Sequence, residues 1–430
     1  MSRLPARLRG HLDVPLYRNG YALAVAAAAT SLSGFVYWII AARLYPASVV
    51  GIGSAVISAM NFLSGIGQLG LTSALARFLP DAGVGGRKLI AVSYAVSVLL
   101  STGLGAIFVA GVDVWAPSLA FLQTDPWWFT CFVLSTGGWT IFTLQDSALA
   151  GLRRAVWVTV ENVAFSLVRL LLLVVLAGAA TPAALFAAAS VPAALTLLPV
   201  TILIFRVLLP RSAPQASEEV GRGMLLRFVI GNHIGGVMQL ATTALLPVLV
   251  VERAGAREGA YFVVPWAIGV AMAFVTAGVT TSLTVEGARA VGDLRAQAVR
   301  MLTQALVLVA PVALIAVVVG PTVLLMFGSD YADNGAALLR WVGLTAVPDV
   351  VFSVGLAVSR VRTRAAVVAV AYGVVAVIVL GLSTVLLSTM GLEGVGVAWF
   401  VGQTTGACVF VVAHRDLLLP SRRDAMVTEA

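Results

Sequence analysis

Apolar stretches of roughly twenty residues follow one another along almost the whole chain, each long enough to cross a hydrocarbon core of about 30 Å as a helix. They are expected near 19–42, 49–75, 89–111, 127–150, 156–178, 183–205, 228–251, 260–284, 302–326, 338–358, 366–388 and 393–413. Inside lipid, every backbone N–H and C=O must be satisfied within the segment itself. The fold class is therefore an all-α polytopic membrane protein of about 12 transmembrane helices. The longest stretch between spans, 207–226, is too short to form a core of its own, which excludes an enzyme with a soluble catalytic domain.

The net charge of +8 would suit nucleic acid only if its placement were ignored. With the N-terminus on side one, all but five of the 27 Lys and Arg fall on that side. Arg43, Arg253, Arg257 and Arg340 lie opposite, and Arg169 lies within a span. By the positive-inside rule side one is the cytoplasm, so both termini are expected there and no nucleic-acid partner is implied. The first apolar run is too long for a cleaved signal peptide and reads as an uncleaved span. Cys131 and Cys408 lie in separate spans, so neither a disulfide nor a metal site is expected. The chain has no P-loop, no Ser/His/Asp set and no cluster of metal ligands, so no cofactor, metal or catalytic residue is expected.

The loop at 207–226, with Pro210, Pro214, Glu218 and Glu219, splits the spans six and six. This predicts an N-terminal lobe (1–206), a cytoplasmic inter-lobe loop (207–226), a C-terminal lobe (227–413) and a cytoplasmic tail (414–430). Gly70-Leu71-Thr72-Ser73-Ala74-Leu75, ending the second span, echoes Gly278-Val279-Thr280-Thr281-Ser282-Leu283, ending the eighth, at an offset of 208. Six spans per half and a weak repeat suggest a duplicated transporter, its lobes related by a pseudo-twofold along the membrane normal and its substrate site between them.

Ser54, Ser58, Asn61, Gly65, Gln68 and Thr72 recur at helical steps and lie within roughly 40° of one line. Such a stripe faces a wet cavity or a packed neighbour, and the amides of Asn61 and Gln68 favour the cavity. Asn232, Gly236, Gln239 and Thr243 form a comparable face in the seventh span. Charges inside spans are costly and seldom kept without a role. Arg169 in the fifth span could meet a phosphate bidentately, pair with an acid or snorkel outward. Asp349, after Pro348 in the tenth, could carry a proton or coupling ion, pair with an arginine or meet freed backbone donors. Asp146 and Glu161 flank Arg153 and Arg154 and read as a structural charge cluster. Arg18 and Arg77 mark cytoplasmic helix ends, at the inner mouth.

Leu16-Tyr17-Arg18-Asn19-Gly20-Tyr21-Ala22, Gly34-Phe35, Trp38, Ala41-Ala42-Arg43-Leu44-Tyr45, Val50-Gly51, Leu69-Gly70-Leu71 and Ala76-Arg77-Phe78-Leu79-Pro80 resemble the polysaccharide-transporter, or O-antigen-type flippase, branch of the multidrug/oligosaccharidyl-lipid/polysaccharide exporter superfamily. A second echo lies at Phe327-Gly328, Tyr331, Leu338-Leu339-Arg340 and Pro348. The resemblance implies alternating access in a bacterial cytoplasmic membrane. It implies that a lipid-linked oligosaccharide, commonly on polyprenyl pyrophosphate, is flipped across that membrane among its lipids, alongside glycosyltransferases or a polymerase of the same pathway. Arg169, Arg18 and Arg77 would then meet phosphates, and Asn61, Gln68, Asn232 and Gln239 would meet sugars. The first span carries no acid, unlike some proton-coupled drug exporters of the superfamily. An ion-coupled small-molecule exporter of multidrug type, with Asp349 as a coupling residue, is the alternative.

Overall fold

The computed structural model describes residues 15–83, 85–209, 222–287, 294–362 and 364–414. Among them the chain is nearly all helix, with no strand. The long helices of its first half are α1 (Pro15–Leu44), α2 (Ala47–Gly67), the shorter α3 (Leu71–Phe78), α4 (Gly85–Ala110), α5 (Pro126–Gly151), α6 (Ala155–Val175) and α7 (Pro182–Ile202). Those of its second half are α8 (Arg222–Ala254), α9 (Ala256–Gly287), α10 (Leu294–Val318), α11 (Ser329–Val361), α12 (Ala365–Met390) and α13 (Leu392–Ala413). Among the described residues, 9 helices are long and apolar enough to cross a membrane. α5 is not one of them, because its Thr, Gly, Gln and Trp residues lower its hydropathy.

Helix ends follow local chemistry. Asp125 accepts from the backbone N–H of Trp127 (2.9 Å) just ahead of Pro126, and Thr181 accepts from that of Ala184 (3.3 Å) ahead of Pro182. Each is an oxygen cap followed by a proline whose missing N–H needs no partner. Gly391 takes a positive φ of 59° to reverse the chain between α12 and α13.

The chain divides into two compact units, Met1–His233 and Ile234–Ala430. In the first, α1 packs along α6, α4 along α5, and α7 against α5 and α6, while α2 touches α4, α5 and α7. Its core joins Leu75, Ile90, Leu144, Leu149, Val158 and Ile204, with a second cluster of Phe142, Phe165 and Ala193. In the second unit α11 is the centre, packed on α9, α10 and α13, with α12 against α13. Backbones approach closely at α11, where a Cβ on Gly355 would collide with the Phe410 ring.

Several elements differ from their expected limits: 302–326 is interrupted after Val318, 338–358 lies within the longer α11, and the second span is broken. The stretch 49–75, expected as a single span, is broken between α2 and α3. Leu69 (φ 50°) and Gly70 (φ 74°) both take the left-handed conformation there. A non-glycine residue pays a steric penalty in that region of about 1–2 kcal/mol. Gln68 anchors the break, since its Nε2 donates to Thr143 Oγ1 on α5 (2.8 Å) and to Ser64 Oγ (3.2 Å).

Candidate functional site

The polar interior of the first unit is built on α5. Thr136, Thr140 and Gln145 are fully buried along it. The threonine hydroxyls donate back to the carbonyls of Phe132 and Thr136 (2.8 Å each), the usual way such side chains are tolerated in a membrane helix. Gln145 Nε2 crosses to α7, donating to Leu197 O (2.8 Å) and Thr201 Oγ1 (2.9 Å), while its Oε1 is buried with no donor.

α5 ends at Gly151, and a tight turn with Arg153 at φ 58° returns the chain into α6. That reversal brings Asp146 opposite the second turn of α6. Asn162 Nδ2 donates to both carboxylate oxygens of Asp146, at 3.0 and 3.1 Å, and to its own helix at Val158 O, 3.0 Å. Glu161 beside it is 3% exposed, and both its oxygens are buried with no partner. Thr196 on α7 is beside this carboxyl, but its hydroxyl donates to Ala193 O (2.8 Å). Asp146 and Tyr94 of α4 are within electrostatic reach of Glu161, and the Tyr94 hydroxyl is buried without a partner. The charge cluster expected with Arg153 and Arg154 is not what holds these acids. Both arginines are exposed, Asp146 is held by an amide, and Glu161 is held by nothing described.

Glu161 is buried, and an unneutralised carboxylate in such a place is very costly unless a proton or cation neutralises it. Among the described residues no group of three or more His, Cys, Asp or Glu is arranged to hold a metal ion.

The other residues singled out from the sequence are dispersed. Gln68 of the α2 stripe donates to Thr143 on α5, and Ser64 beside the stripe accepts from Thr140 Oγ1 (2.9 Å), so this end of the stripe packs on α5. Asn61 is half-buried, with its Oδ1 unpartnered. Arg77 is exposed, its guanidinium 5.6 Å from the Phe78 ring. Gln239 is exposed on α8. The side chains of Arg18 and Asn232 lie outside the described residues. Asp349, half-buried in α11 of the second unit, is within electrostatic reach of Tyr372 on α12. Arg169 lies on the inner face of α6, its guanidinium carbon 3.8 Å from the centre of the Tyr37 ring on α1 and 5.8 Å from that of Phe165. Sequence reasoning did not foresee the carboxyl cluster as a site. The available signal was two acids inside neighbouring spans, joined by a turn too short to separate them.

This architecture is a MATE-like transporter fold. A multidrug resistance MATE family transporter of the MOP superfamily, solved in an inward-facing conformation, aligns with a TM-score of 0.69 at 15% identity, covering 90% of this chain and 94% of that one. A MATE in complex with MaD5 aligns at 0.66 and 15% identity over 97% and 98%, and a MATE in the straight conformation at 0.65 and 16% over 94% and 95%. No protein-family model and no curated protein matches the sequence. The likeness is one of fold.

It also corrects the expected activity. The first of these is a multidrug resistance transporter and none is a glycan flippase by its description, so the expectation of a flippase for lipid-linked glycans is corrected. The interior agrees in physical terms. Gln68, expected to offer exchangeable hydrogen bonds to sugars, is committed to Thr143 and Ser64. The buried side-chain atoms of the first unit without partners include both oxygens of Glu161.

Proposed function

We propose that this protein is an ion-coupled exporter of small molecules, in which twelve spans in two six-helix halves alternate access across a bacterial cytoplasmic membrane with both termini inside. The single observation carrying this reading is Glu161, a buried carboxyl in no described ion pair and with only the Thr196 hydroxyl beside it, next to the amide-held Asp146. A site that must take a proton or cation to be stable inside lipid, and release it to reset, couples a gradient to a conformational change. The resemblance of the fold to a multidrug resistance MATE transporter supports small molecules, rather than a polymer precursor, as the transported class.

The test uses proteoliposomes with an imposed proton or sodium gradient and the cationic dye ethidium as cargo. Wild-type protein should move ethidium against its own gradient, and Glu161→Gln should uncouple that movement from the ion. Coupled export that persists in Glu161→Gln, or gradient-independent dye movement by the wild type, would overturn the reading.

A further inference from the structure

Arg169 is the residue of the first unit whose chemistry the carboxyl cluster does not absorb. Its direction is fixed by the helix it sits on. At about 100° per residue, Asn162, Phe165, Ser166, Arg169 and Leu173 fall within an arc of about 100° on α6. Asn162, Phe165, Ser166 and Leu173 are all buried. Val163, Leu167 and Leu171, exposed as lipid-facing residues are, lie on the other side. The guanidinium therefore points into the unit, and outward snorkelling is ruled out.

Its surroundings are aromatic. The Tyr37 ring is completely buried and held in place, since its hydroxyl donates to Leu185 O (3.0 Å). One face of the guanidinium lies on this ring. A cation on an aromatic face is stabilised by about 0.5–2 kcal/mol, less than a full charge needs at membrane depth. The ring satisfies no N–H in the guanidinium plane. Arg169 Nε is buried with no acceptor, and no described carboxylate pairs with the side chain. The Ser166 hydroxyl, one turn away on the same face, is also buried and unpartnered. The Tyr37 hydroxyl also accepts from the guanidinium, and an arginine so covered, with its Nε–H still open, suits an oxyanion held by charge-assisted hydrogen bonds.

We propose that Arg169 is a binding residue for an oxyanion, a carboxylate or phosphate group. The group is supplied either by the transported molecule or by the headgroup of an anionic phospholipid. The transported-molecule form rests on the exporter reading. It extends the cargo from cations alone to molecules bearing an acidic group, with the acid cluster near the cytoplasmic end of α6 and the oxyanion site further along the same helix.

The experiment uses the full chain in phosphatidylcholine liposomes, with and without phosphatidylglycerol. Two cargoes are compared, the carboxylate dye fluorescein and the cation ethidium. If the oxyanion belongs to the cargo, Arg169→Gln raises the KM for fluorescein by about ten-fold or more and leaves ethidium transport unchanged, with partial rescue by Arg169→Lys, which keeps charge but not the fork. If it belongs to lipid, phosphatidylglycerol raises the thermal midpoint of the wild type and not of Arg169→Gln. Equal loss of both dyes, or no difference between wild type and variant in either arm, overturns the assignment. Failure of the wild type to move either dye sinks the exporter reading instead, and the lipid arm then decides Arg169 alone. Should Arg169→Gln not fold, phenylglyoxal labelling of the wild type settles the matter. Adduct formation at Arg169, read by peptide mass spectrometry, should fall about five-fold or more with fluorescein or phosphatidylglycerol present, as expected for a site mostly occupied by its ligand. Labelling unchanged by both, or absent throughout, refutes a site open to anions.

Discussion

The echo at an offset of 208 joins two segments that fold differently. In the first unit the helix stops at Gly67 and restarts at Leu71, with Leu69 and Gly70 at positive φ. In the second, α9 runs without a break through Gly278 to Gly287. The discriminating position is two residues before the shared glycine. Gln68 reaches across to Thr143 on α5, whereas its counterpart Thr276 bonds back to Met272 O (3.4 Å) on its own helix. A long amide that can find a partner on the next helix stabilises a broken backbone. A short hydroxyl that finds one on its own helix leaves the helix intact. The units differ in the same direction elsewhere. The first buries Glu161 beside Asp146 and an arginine against Tyr37, whereas in the second Asp349 lies within electrostatic reach of Tyr372, which also hydrogen-bonds Arg360.

The strongest way to break this comparison is at the acids. Glu161→Gln should reduce gradient-driven transport by about a hundred-fold or more, near uncoupled leak, as expected when a required proton-transfer group is lost. Asp349→Asn should have a clearly smaller effect in the same liposome assay. The reverse order would place coupling in the second unit. Next is the backbone. Gly70→Ala should cost about 1–2 kcal/mol, because alanine resists the left-handed conformation. Gly278→Ala, in a continuous helix, should be neutral or stabilise by up to about 1 kcal/mol. Thermal melts in detergent separate the two. Smaller again, Gln68→Leu should cost about 0.6–1.7 kcal/mol through the lost interhelical bonds, and Thr276→Val should be close to neutral in the same melts. Smallest is the exposed Arg257–Asp330 pair (3.2 Å) at the start of α9 and α11, where Asp330→Asn should leave the melting temperature unchanged in both low and high salt.

The succession of membrane helices was legible because hydropathy alone dictates it, and α6, α12 and α13 begin and end close to their expected limits. The break at Gln68–Gly70 was not legible. Glycine is common in membrane helices, and nothing about leucine announces a positive φ at Leu69. Arg169 and Asp349 stand out as charges in apolar runs, yet no local pattern shows that a tyrosine more than a hundred residues away covers the arginine. Asp146 and Glu161 were visible too, but their lack of a basic partner depends on Arg153 and Arg154 projecting outward from a turn whose geometry is set by packing. The activity was misjudged because short N-terminal motifs outweighed what the whole fold resembles.

The turn at Leu152–Arg154 ties α5 and α6 into a single hairpin whose two arms are clamped by the Asn162–Asp146 bonds. Those arms cannot separate without breaking the clamp, so they act as a fixed jaw. Hydration of Glu161 must then come from the unclamped sides, by displacement of α4 with Tyr94 or of α7 with Thr196. In the proposed exporter, cysteine crosslinks locking both α4 and α7 to α6 should therefore arrest transport, while one locking α5 to α6 should pass unnoticed.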